Sequence, residues 1–405
     1  MAELLQPKSL LYSINARIGG YGLDLNAHEA LKLAWREGFL GEAVAYDNRQ
    51  TDIPASFIRS LRWHPVRLLS FLDSPFYYAA KKRYLDRVTR GRIATGKFDV
   101  FHTWEGDGLT TLRAARRLGI PTLLEIPTWH RDKGKVKPRN NVETTRHERE
   151  AKFPETLFKS LIIKRPETLA EYDHADLLLV PSECAARTFT AAGIPREKLF
   201  MLGAGADVHL FQPKPPDSIP AAFTAERPLR AIFCGALIKR KGIHVLLEAW
   251  HRLRLPHATL TLVGAIHKEA EPYLEKFADA SVKPAGFTRN VPALLKEADL
   301  HLFPSECEGS AKTVYEACAA GLAQISTFET GDVVQDGFNG RIVPCNDVDA
   351  LARAIRDLYD HPETIRQYCA NARQRAENEF TWDHFRQRLA RAYDLVLRRS
   401  RTNAA

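Results

Sequence analysis

Two periods alternate along this 405-residue chain. Short apolar runs of strand length occur at SLLYSI (9–14), FDVFHTWEG (Phe98–Gly106), IPTLLEIPTWH (Ile120–His130) and ADLLLVPSE, which ends at Pro181-Ser182. Between them, LNAHEALKLAWREG, GLTTLRAARRLG, Pro166–Ala175 and CAARTFTAAG carry apolar residues three and four apart, as helices do, and three of the four stop at a glycine. IPREKLFMLGAGAD leads into a last strand. Apolar strands alternating with amphipathic helices predict a parallel α/β sheet.

The pattern breaks at His209–Arg230, a proline-rich stretch without period that reads as a domain linker. It resumes with a strand at Leu229–Cys234, a turn at Gly235 and a helix over Gly242–Leu253. A strand at Ala258–Ala265, a helix at PYLEKFA, a strand at VKPAGF, a short helix over Asn290–Ala298 and the strand ADLHLFPS follow. The chain after Asn346 reads as helical. The prediction is two Rossmann-like α/β domains, 1–212 and 229–380, joined by a linker at 213–228, with a final helix over 381–405.

The first strand runs into a glycine loop, Arg17-Ile18-Gly19-Gly20-Tyr21-Gly22. This is the opening unit of a parallel sheet and not a dinucleotide fingerprint: the glycine spacing is wrong, and no acidic residue is expected at the end of a nearby second strand. The densest chemistry lies between Leu302 and Asn346. There a strand ends at Pro304-Ser305, Gly309-Ser310 breaks the chain and offers a helix N-cap, and TVYEACAA follows as a helix stopped by Gly321. Glu308 stands in the loop and Glu316 inside the helix. A strand-loop-helix junction presents free N–H groups and the positive end of a helix dipole, which suits a diphosphate. A carboxylate on each side suits hydroxyl-rich groups at the two ends of such an anion, or else both are ordinary surface residues.

This stretch resembles the retaining GT-B glycosyltransferases of family 4. Their pattern is P-S-x-x-E-G, a loop, E-A-x-A-x-G, a strand, and V-V-x-D-G-x-N-G-x-(V)-x-P. It is met here by Pro304, Ser305, Glu308, Gly309, Glu316, Ala317, Ala319, Gly321, Val333, Val334, Asp336, Gly337, Asn339, Gly340 and Pro344. The segment from ADLLLVPS through G-I-P-x-E-K is similar to the end of the family's first domain, with Gly203-Ala204-Gly205-Ala206-Asp207 where P-N-G-x-D is usual.

The resemblance implies two domains facing a cleft, the first binding the acceptor and the second the nucleotide-sugar, with the last helix crossing back to the first domain. It implies a nucleotide-diphosphate sugar as donor and a saccharide or lipid-linked acceptor in cell-surface polysaccharide or glycolipid synthesis. Retention of anomeric configuration and independence of metal are further implications. Glu308 would orient the sugar, Glu316 the ribose, and His130, with His102 a weaker counterpart, would reach the donor sugar. Gly235, Gly309, Ser310, Ala311, Lys312 and Thr313 would line the donor site, with Gly19 and Gly20 near the donor phosphates or the acceptor, and Phe287 and Thr288 near the base. The family clamps the diphosphate with an Arg and a Lys in strand-G-R-L-x-x-x-K-G. Lys241 matches the Lys, but Ala236 stands at the Arg position, leaving Lys239 or Arg240 to substitute.

Composition narrows the class. Hydrophobic residues make up 45% and charged residues 26%, a globular profile with no apolar run long enough for a membrane span. Six scattered cysteines without metal spacing, and no signal-peptide pattern, fit a reducing cytoplasmic setting. The net charge of +9 permits nucleic acid, an anionic membrane or an anionic substrate, but no nucleic-acid motif is present and a phosphate site accounts for the basicity. The basic, aromatic segment 53–97 reads either as a surface for an anionic membrane or lipid-linked acceptor, at the inner membrane face, or as two amphipathic helices with a solvated basic face. The polar stretch RDKGKVKPRNNVETTRHEREAKFP reads as a mobile loop. No D-x-D carboxylate pair stands at a strand end to hold a metal. Two alternatives stay open: a catalytically degenerate GT-B scaffold that binds a nucleotide or a partner, and a nucleotide-sugar 2-epimerase.

Overall fold

The computed structural model describes residues 4–20, 23–70, 74–132 and 165–404. Of the polar stretch after His130, only Arg131 and Asp132 fall among them. Contacts divide the chain into two units. One comprises Met1–Pro181, Ala186–Leu202 and Arg386–Ala405; the other comprises Ser182–Ala185 and Gly203–Phe385.

The first unit is built on β1 (Leu10–Ile18), β2 (Leu40–Asn48), β3 (Ile58–Ser60), β4 (Val100–Trp104), β5 (Thr122–Glu125), β6 (Leu177–Val180) and β7 (Leu199–Met201). They pair in parallel in the order β3-β2-β1-β4-β5-β6-β7. Its helices are α1 (Leu23–Arg36), α2 (Ser74–Ile93), α3 (Leu109–Arg117), α4 (Arg165–His174) and most of α5 (Glu183–Thr190). The central strands β4, β5 and β6 are buried at every position, which is why apolar and polar residues do not alternate along them. The three-residue strands β3 and β7 close the two edges and leave little backbone to template another chain.

The second unit contains β8 (Leu229–Cys234), β9 (Ala258–Val263), β10 (Val282–Gly286), β11 (Leu300–Phe303), β12 (Ala323–Ser326) and β13 (Gly340–Ile342), in the order β10-β9-β8-β11-β12-β13. All pairings are again parallel. Helices α6 (Ile243–Leu253), α7 (Glu271–Phe277), α8 (Val291–Glu297), α9 (Lys312–Ala319), α10 (Val348–Asp360) and α11 (Pro362–Glu379) cover it. Pro284 sits in β10, an edge strand, where a missing N–H costs no ladder bond. Helix α12 (Trp382–Ala404) begins in this unit, and its residues from Arg386 onward cluster with the first. There Tyr393 Oη lies 2.9 Å from His102 Nδ1 on β4, and Arg388 Nε donates to the Leu202 carbonyl at 2.7 Å.

Several expectations are corrected. Strand β1 continues through a bulge to Ile18, so Arg17 and Ile18 belong to the strand and not to the glycine loop. Strand β2 ends with an acid after all: Asp47, buried, accepts from Arg17 Nε at 3.1 Å. Segment 53–97 is not a pair of amphipathic helices. It is a 3-10 turn, the edge strand β3, a second 3-10 turn at Pro65–Leu69 and the single helix α2. Much of its positive charge is matched internally. Buried Glu42 takes Arg59 Nε at 2.5 Å and Arg92 Nε at 2.6 Å, and Arg83 forks onto Glu167 at 2.8 and 2.9 Å.

A buried carboxylate anchors the second unit. Asp299, fully shielded just before β11, accepts both arms of Arg227 at 2.7 and 2.9 Å, the Lys214 ammonium, and the Arg230 amide at 2.9 Å. Burial alone would raise its pKa; the Arg227 hydrogen bonds and the Lys214 charge outweigh burial and hold it below the usual carboxylate range. The folded value lies below the unfolded one. Its stabilisation is therefore present above about pH 4 and is lost as acid protonates it. Asp299→Asn strands two largely buried cations and is expected to destabilise the protein by about 3 kcal/mol in urea unfolding at pH 7. The difference from the parent should narrow as the pH falls through 4.

Candidate functional site

In each sheet the strand order reverses once, and a parallel α/β sheet binds ligands outside its strand carboxyl ends at that reversal. In the second unit the reversal separates β8 from β11, which pair at Leu300↔Ala231 and His301↔Ile232. The loop leaving β8 carries Gly235 and the 3-10 turn Lys239–Lys241; the loop leaving β11 carries Pro304 to Ala311.

The two loops are pressed together. Gly242 ends the 3-10 turn at φ 74°, and a Cβ there would stand 1.9 Å from the Pro304 carbonyl oxygen. A Cβ on Gly264, after β9, would likewise meet the Gly235 carbonyl at 1.9 Å. Glycine is required at both. The Arg240 carbonyl accepts from the Glu306 amide at 2.8 Å and from Ser305 Oγ at 2.9 Å, which locks the loops in register.

This register brings charge together. Glu308 Oε1 is 2.9 Å from Arg240 Nη1, 3.4 Å from Lys241 Nζ and 3.3 Å from Ser305 Oγ. The Glu308 and Lys241 side chains are only 15% and 19% exposed. Lys241 also packs beneath Gly235, where a Cβ would meet its Nζ at 3.3 Å, and over the Phe303 ring. Lys239 points elsewhere, over Tyr273 at 5.2 Å. Of the two cations the sequence offered beside Ala236, Arg240 is the one placed with Lys241.

Helix α9 is capped one residue later than expected. Its N-cap is Ala311, without a side-chain cap, while Ser310 Oγ bonds Tyr315 Oη at 2.9 Å instead of capping. The reason is the loop after β12: Thr330 accepts the Ala311 amide at 2.9 Å, Glu329 accepts the Glu308 amide at 3.0 Å, and Gly331 leaves no room for a Cβ beside Ser310. Thr327 Oγ1 donates to the Ser305 carbonyl at 2.5 Å. Sequence reasoning passed over Thr327, Thr330 and Gly331; the one signal was a T-x-x-T-G run directly after an apolar strand. Glu316, five residues into α9, lies 3.9 Å from Lys312. Burial raises its pKa and Lys312 opposes this. It is near the end of β8: burial first, then the Glu316 charge, pushes the Cys234 thiol up to about 12. Thr313 Oγ1 lies 3.4 Å from buried His301, whose pKa burial lowers to about 4. The D-G-x-N-G motif builds structure. Asn339 is fully buried, accepting from Gln335 N and donating to the Val333 carbonyl, while Asp336 accepts from Ile342 N. Phe287 is 79% exposed.

The remaining named residues lie in the first unit. Gly19 turns the chain at φ 82° where a Cβ would strike Gln50, and Gly20 follows against Asp24. The His130 ring is only 6% exposed; it is wedged between Tyr172 and Phe189, each 5.0 Å away, and its Nδ1 accepts the Asp132 amide at 3.2 Å. His102 is fully buried between Tyr393 and Glu125. Among the described residues, no three of His, Cys, Asp and Glu converge as a metal cage, and no helix is long and apolar enough to cross a membrane.

Comparison with known proteins finds glycosyltransferases. Residues 228–361 match the family model described as glycosyl transferases group 1. The chain is 27% identical over 259 residues to the putative colanic acid biosynthesis glycosyltransferase WcaL of Escherichia coli K12, covering 58% of this chain and 62% of that one. It is 28% identical over 238 residues to the MMP alpha-(1->4)-mannosyltransferase of Mycolicibacterium hassiacum, covering 55% of each. The chain thus spans less than two thirds of these curated relatives. Across nearly its whole length it shares a fold with WaaG, a glycosyltransferase involved in lipopolysaccharide biosynthesis (TM-score 0.63, 16% identity, 96% of this chain and 99% of that one). The same holds for Anabaena Alr3699/HepE in complex with UDP (TM-score 0.64, 16% identity, 95% and 99%). The fold is GT-B, with two parallel-sheet α/β domains.

Gly242→Ala is expected to lower stability by about 2 kcal/mol or more, from the left-handed backbone and the collision with Pro304. Gly286→Ala is the control, with a similar φ of 66° and open space around it. It should cost only the backbone share, about 1–2 kcal/mol. Urea unfolding of both variants measures the difference.

Proposed function

We propose that this chain, whose residues 228–361 form a group 1 glycosyl transferase domain, moves a sugar from a nucleotide-diphosphate sugar to a saccharide or lipid-linked acceptor in building a cell-surface polysaccharide or glycolipid. The observation that carries the reading is the meeting of Arg240, Lys241 and Glu308 where strand order reverses between β8 and β11. The relatives named above, and a neighbour that holds UDP, support it.

Breaking the anomeric C–O bond leaves charge on the diphosphate. Lys241 and Arg240, with the first-turn amides of α9, are the fixed donors that stabilise that charge in the transition state. With the donor bound, the two cations turn from Glu308 to the diphosphate, and Glu308 is released to accept from sugar hydroxyls. Glu316, its side chain 19% exposed on α9, takes the ribose. Gly235, Gly309, Ser310, Ala311, Lys312 and Thr313 form the backbone wall. Side-chain cations carry the charge in this reading, so it needs no metal. It also assigns no carboxylate to a covalent intermediate, so retention follows from attack on the face that the leaving group vacates. His130 acts through the fold, holding the loop after β5 between Tyr172 and Phe189.

Glu308→Ala and Lys241→Ala should each slow transfer about a hundredfold or more. Glu316→Ala should weaken nucleotide binding about tenfold and alter turnover less. Calorimetry with UDP, GDP and ADP, together with nucleotide release from a panel of nucleotide-sugars, measures both. Wild-type rates in the first two variants would remove the assignment.

The exposed end of segment 53–97 supports a peripheral contact with an anionic membrane. Trp63 and Leu68 are 79% and 82% exposed, and the guanidinium groups of Arg62 and Arg67 lie 5.6 and 4.9 Å from the Trp63 ring. The chain should co-sediment with vesicles containing phosphatidylglycerol, less so at high salt, and the pair Trp63→Ala with Leu68→Ala should release it. Equal binding to neutral vesicles would defeat the membrane contact and leave the sugar-transfer reading standing.

A further inference from the structure

The first unit has its own reversal of strand order, between β1 and β4, and the donor site drawn above takes no charged side chain from it. Four elements bring side chains to the carboxyl ends of the strands there. Strand β1 supplies Asn15 and Arg17, β2 supplies Tyr46 and Asp47, the loop after β4 supplies Asp107, and α2 supplies Tyr77, Tyr78, Lys81 and Lys82.

Most of the charge in this cluster is paired. Lys82 Nζ lies 2.7 Å from Asp107 Oδ1, and Asp107 Oδ2 accepts the Asn15 amide at 2.8 Å. Arg17 donates to Asp47, which has the Arg49 guanidinium 3.8 Å away as well. Lys81 is the exception. Its ammonium makes no ion pair or hydrogen bond among the described residues. It stands over tyrosine faces, 3.9 Å from the Tyr46 ring centroid, 4.7 Å from Tyr78 and 5.3 Å from Tyr77. Burial, and then repulsion from Arg17, lowers its pKa against the pull of Asp107. On β1 beside it, the Asn15 side-chain nitrogen is buried with no acceptor among the described residues.

A half-buried ammonium facing only π-clouds is incompletely compensated, because a cation–π contact does not replace lost hydration in full. An anion would supply the missing acceptor. It would also take the hydrogen bonds that Arg17 keeps free, since Asp47 occupies only one donor of its fork. The tyrosines around it offer flat apolar faces and hydroxyl groups to whatever carries the anion. Acids near the cluster do not cancel this surplus: Asp47 and Asp107 are engaged by Arg17 and Lys82, and Asp24 makes its influence felt at Tyr78.

We propose that Lys81 and Arg17 of this cluster select the acceptor by its charge, pairing with an anionic group on it, a phosphate or a sugar carboxylate. The proposal rests on the sugar-transfer reading, with the acceptor on the first domain as the family resemblance implies; what it adds is the charge of that acceptor and the two residues that read it.

Titration calorimetry in the presence of saturating UDP tests it, so that the donor cations are occupied. The probes are farnesyl diphosphate and glucuronic acid, with farnesol and glucose as their neutral counterparts. An anionic probe should bind more tightly than its neutral partner, and Lys81→Met and Arg17→Gln should each weaken it about tenfold. Preference for the diphosphate identifies a lipid-linked acceptor, and preference for glucuronic acid an acidic saccharide. Thermal melts and UDP affinity of the Lys81 and Arg17 variants report whether their folds are intact. Equal binding of charged and neutral probes, or affinities in both folded variants within twofold of the parent, overturns the proposal. If UDP itself fails to bind the parent, the sugar-transfer reading falls instead.

Discussion

The close approach of Gly242 to the Pro304 carbonyl arranges the charged cluster of the second unit. It allows the loops leaving β8 and β11 to touch with no side chain between them. Two lysine and arginine side chains from one loop can then reach a single carboxylate on the other. Adjacent strands in a parallel sheet lie about 5 Å apart, so two loops leaving neighbouring strands that diverge in connectivity would ordinarily open a crevice between them. Here the backbone of one forms the wall of the other, and the crevice is left to the side chains of Arg240, Lys241 and Glu308. Hydrogen bonds from Ser305, Glu306 and Thr327 hold that arrangement from below.

Buried charge is handled differently in the two units. Asp299 is saturated by a guanidinium fork, an ammonium and an amide, and its role is to join the chain before β8 to the start of β11. Such a network is costly to break and contributes little beyond what an apolar core would give, so its value lies in fixing register. In the first unit, Glu171 caps the Gly106 and Gly108 amides while burial pushes its pKa up to about 8, and Asp86 takes the Thr110 and Thr111 amides at the start of α3. The helix N-terminus nearest the reversal is therefore already occupied by carboxylates. In the second unit, by contrast, the start of α9 at Ala311 carries no side-chain cap.

The charge of segment 53–97 shows how little composition says about partners. Arg59, Arg83 and Arg92 are matched inside the unit by Glu42 and Glu167, whereas Arg62 and Arg67 flank an exposed indole. Adjacent residues of one basic stretch thus serve different ends. Which is which depends on where β3 and α2 place them against β2 and α4, and no count of charges contains that information.

The sequence alone carried the alternation of periods, and with it two parallel α/β units, most strands and helices, and the stretch from Pro304 to Gly321 that holds both glutamates. These are local properties: apolar runs declare buried strands, and glycines mark the turns that need them. It did not show β2, whose Gly41, Glu42 and Asp47 interrupt the apolar pattern and are tolerated only because Arg59, Arg92 and Arg17 answer the acids. Nor could it choose between Lys239 and Arg240. They are neighbours in the chain, and a 3-10 turn sends one to Tyr273 and the other to Glu308. His130 and Lys81 make the same point in opposite directions: a histidine named from its motif is enclosed by rings, and a lysine that no motif named has no counter-ion among the described residues. Pattern and turn chemistry are written in neighbouring residues, while partnership between charges depends on segments tens or hundreds of positions apart, and only the folded chain brings those together.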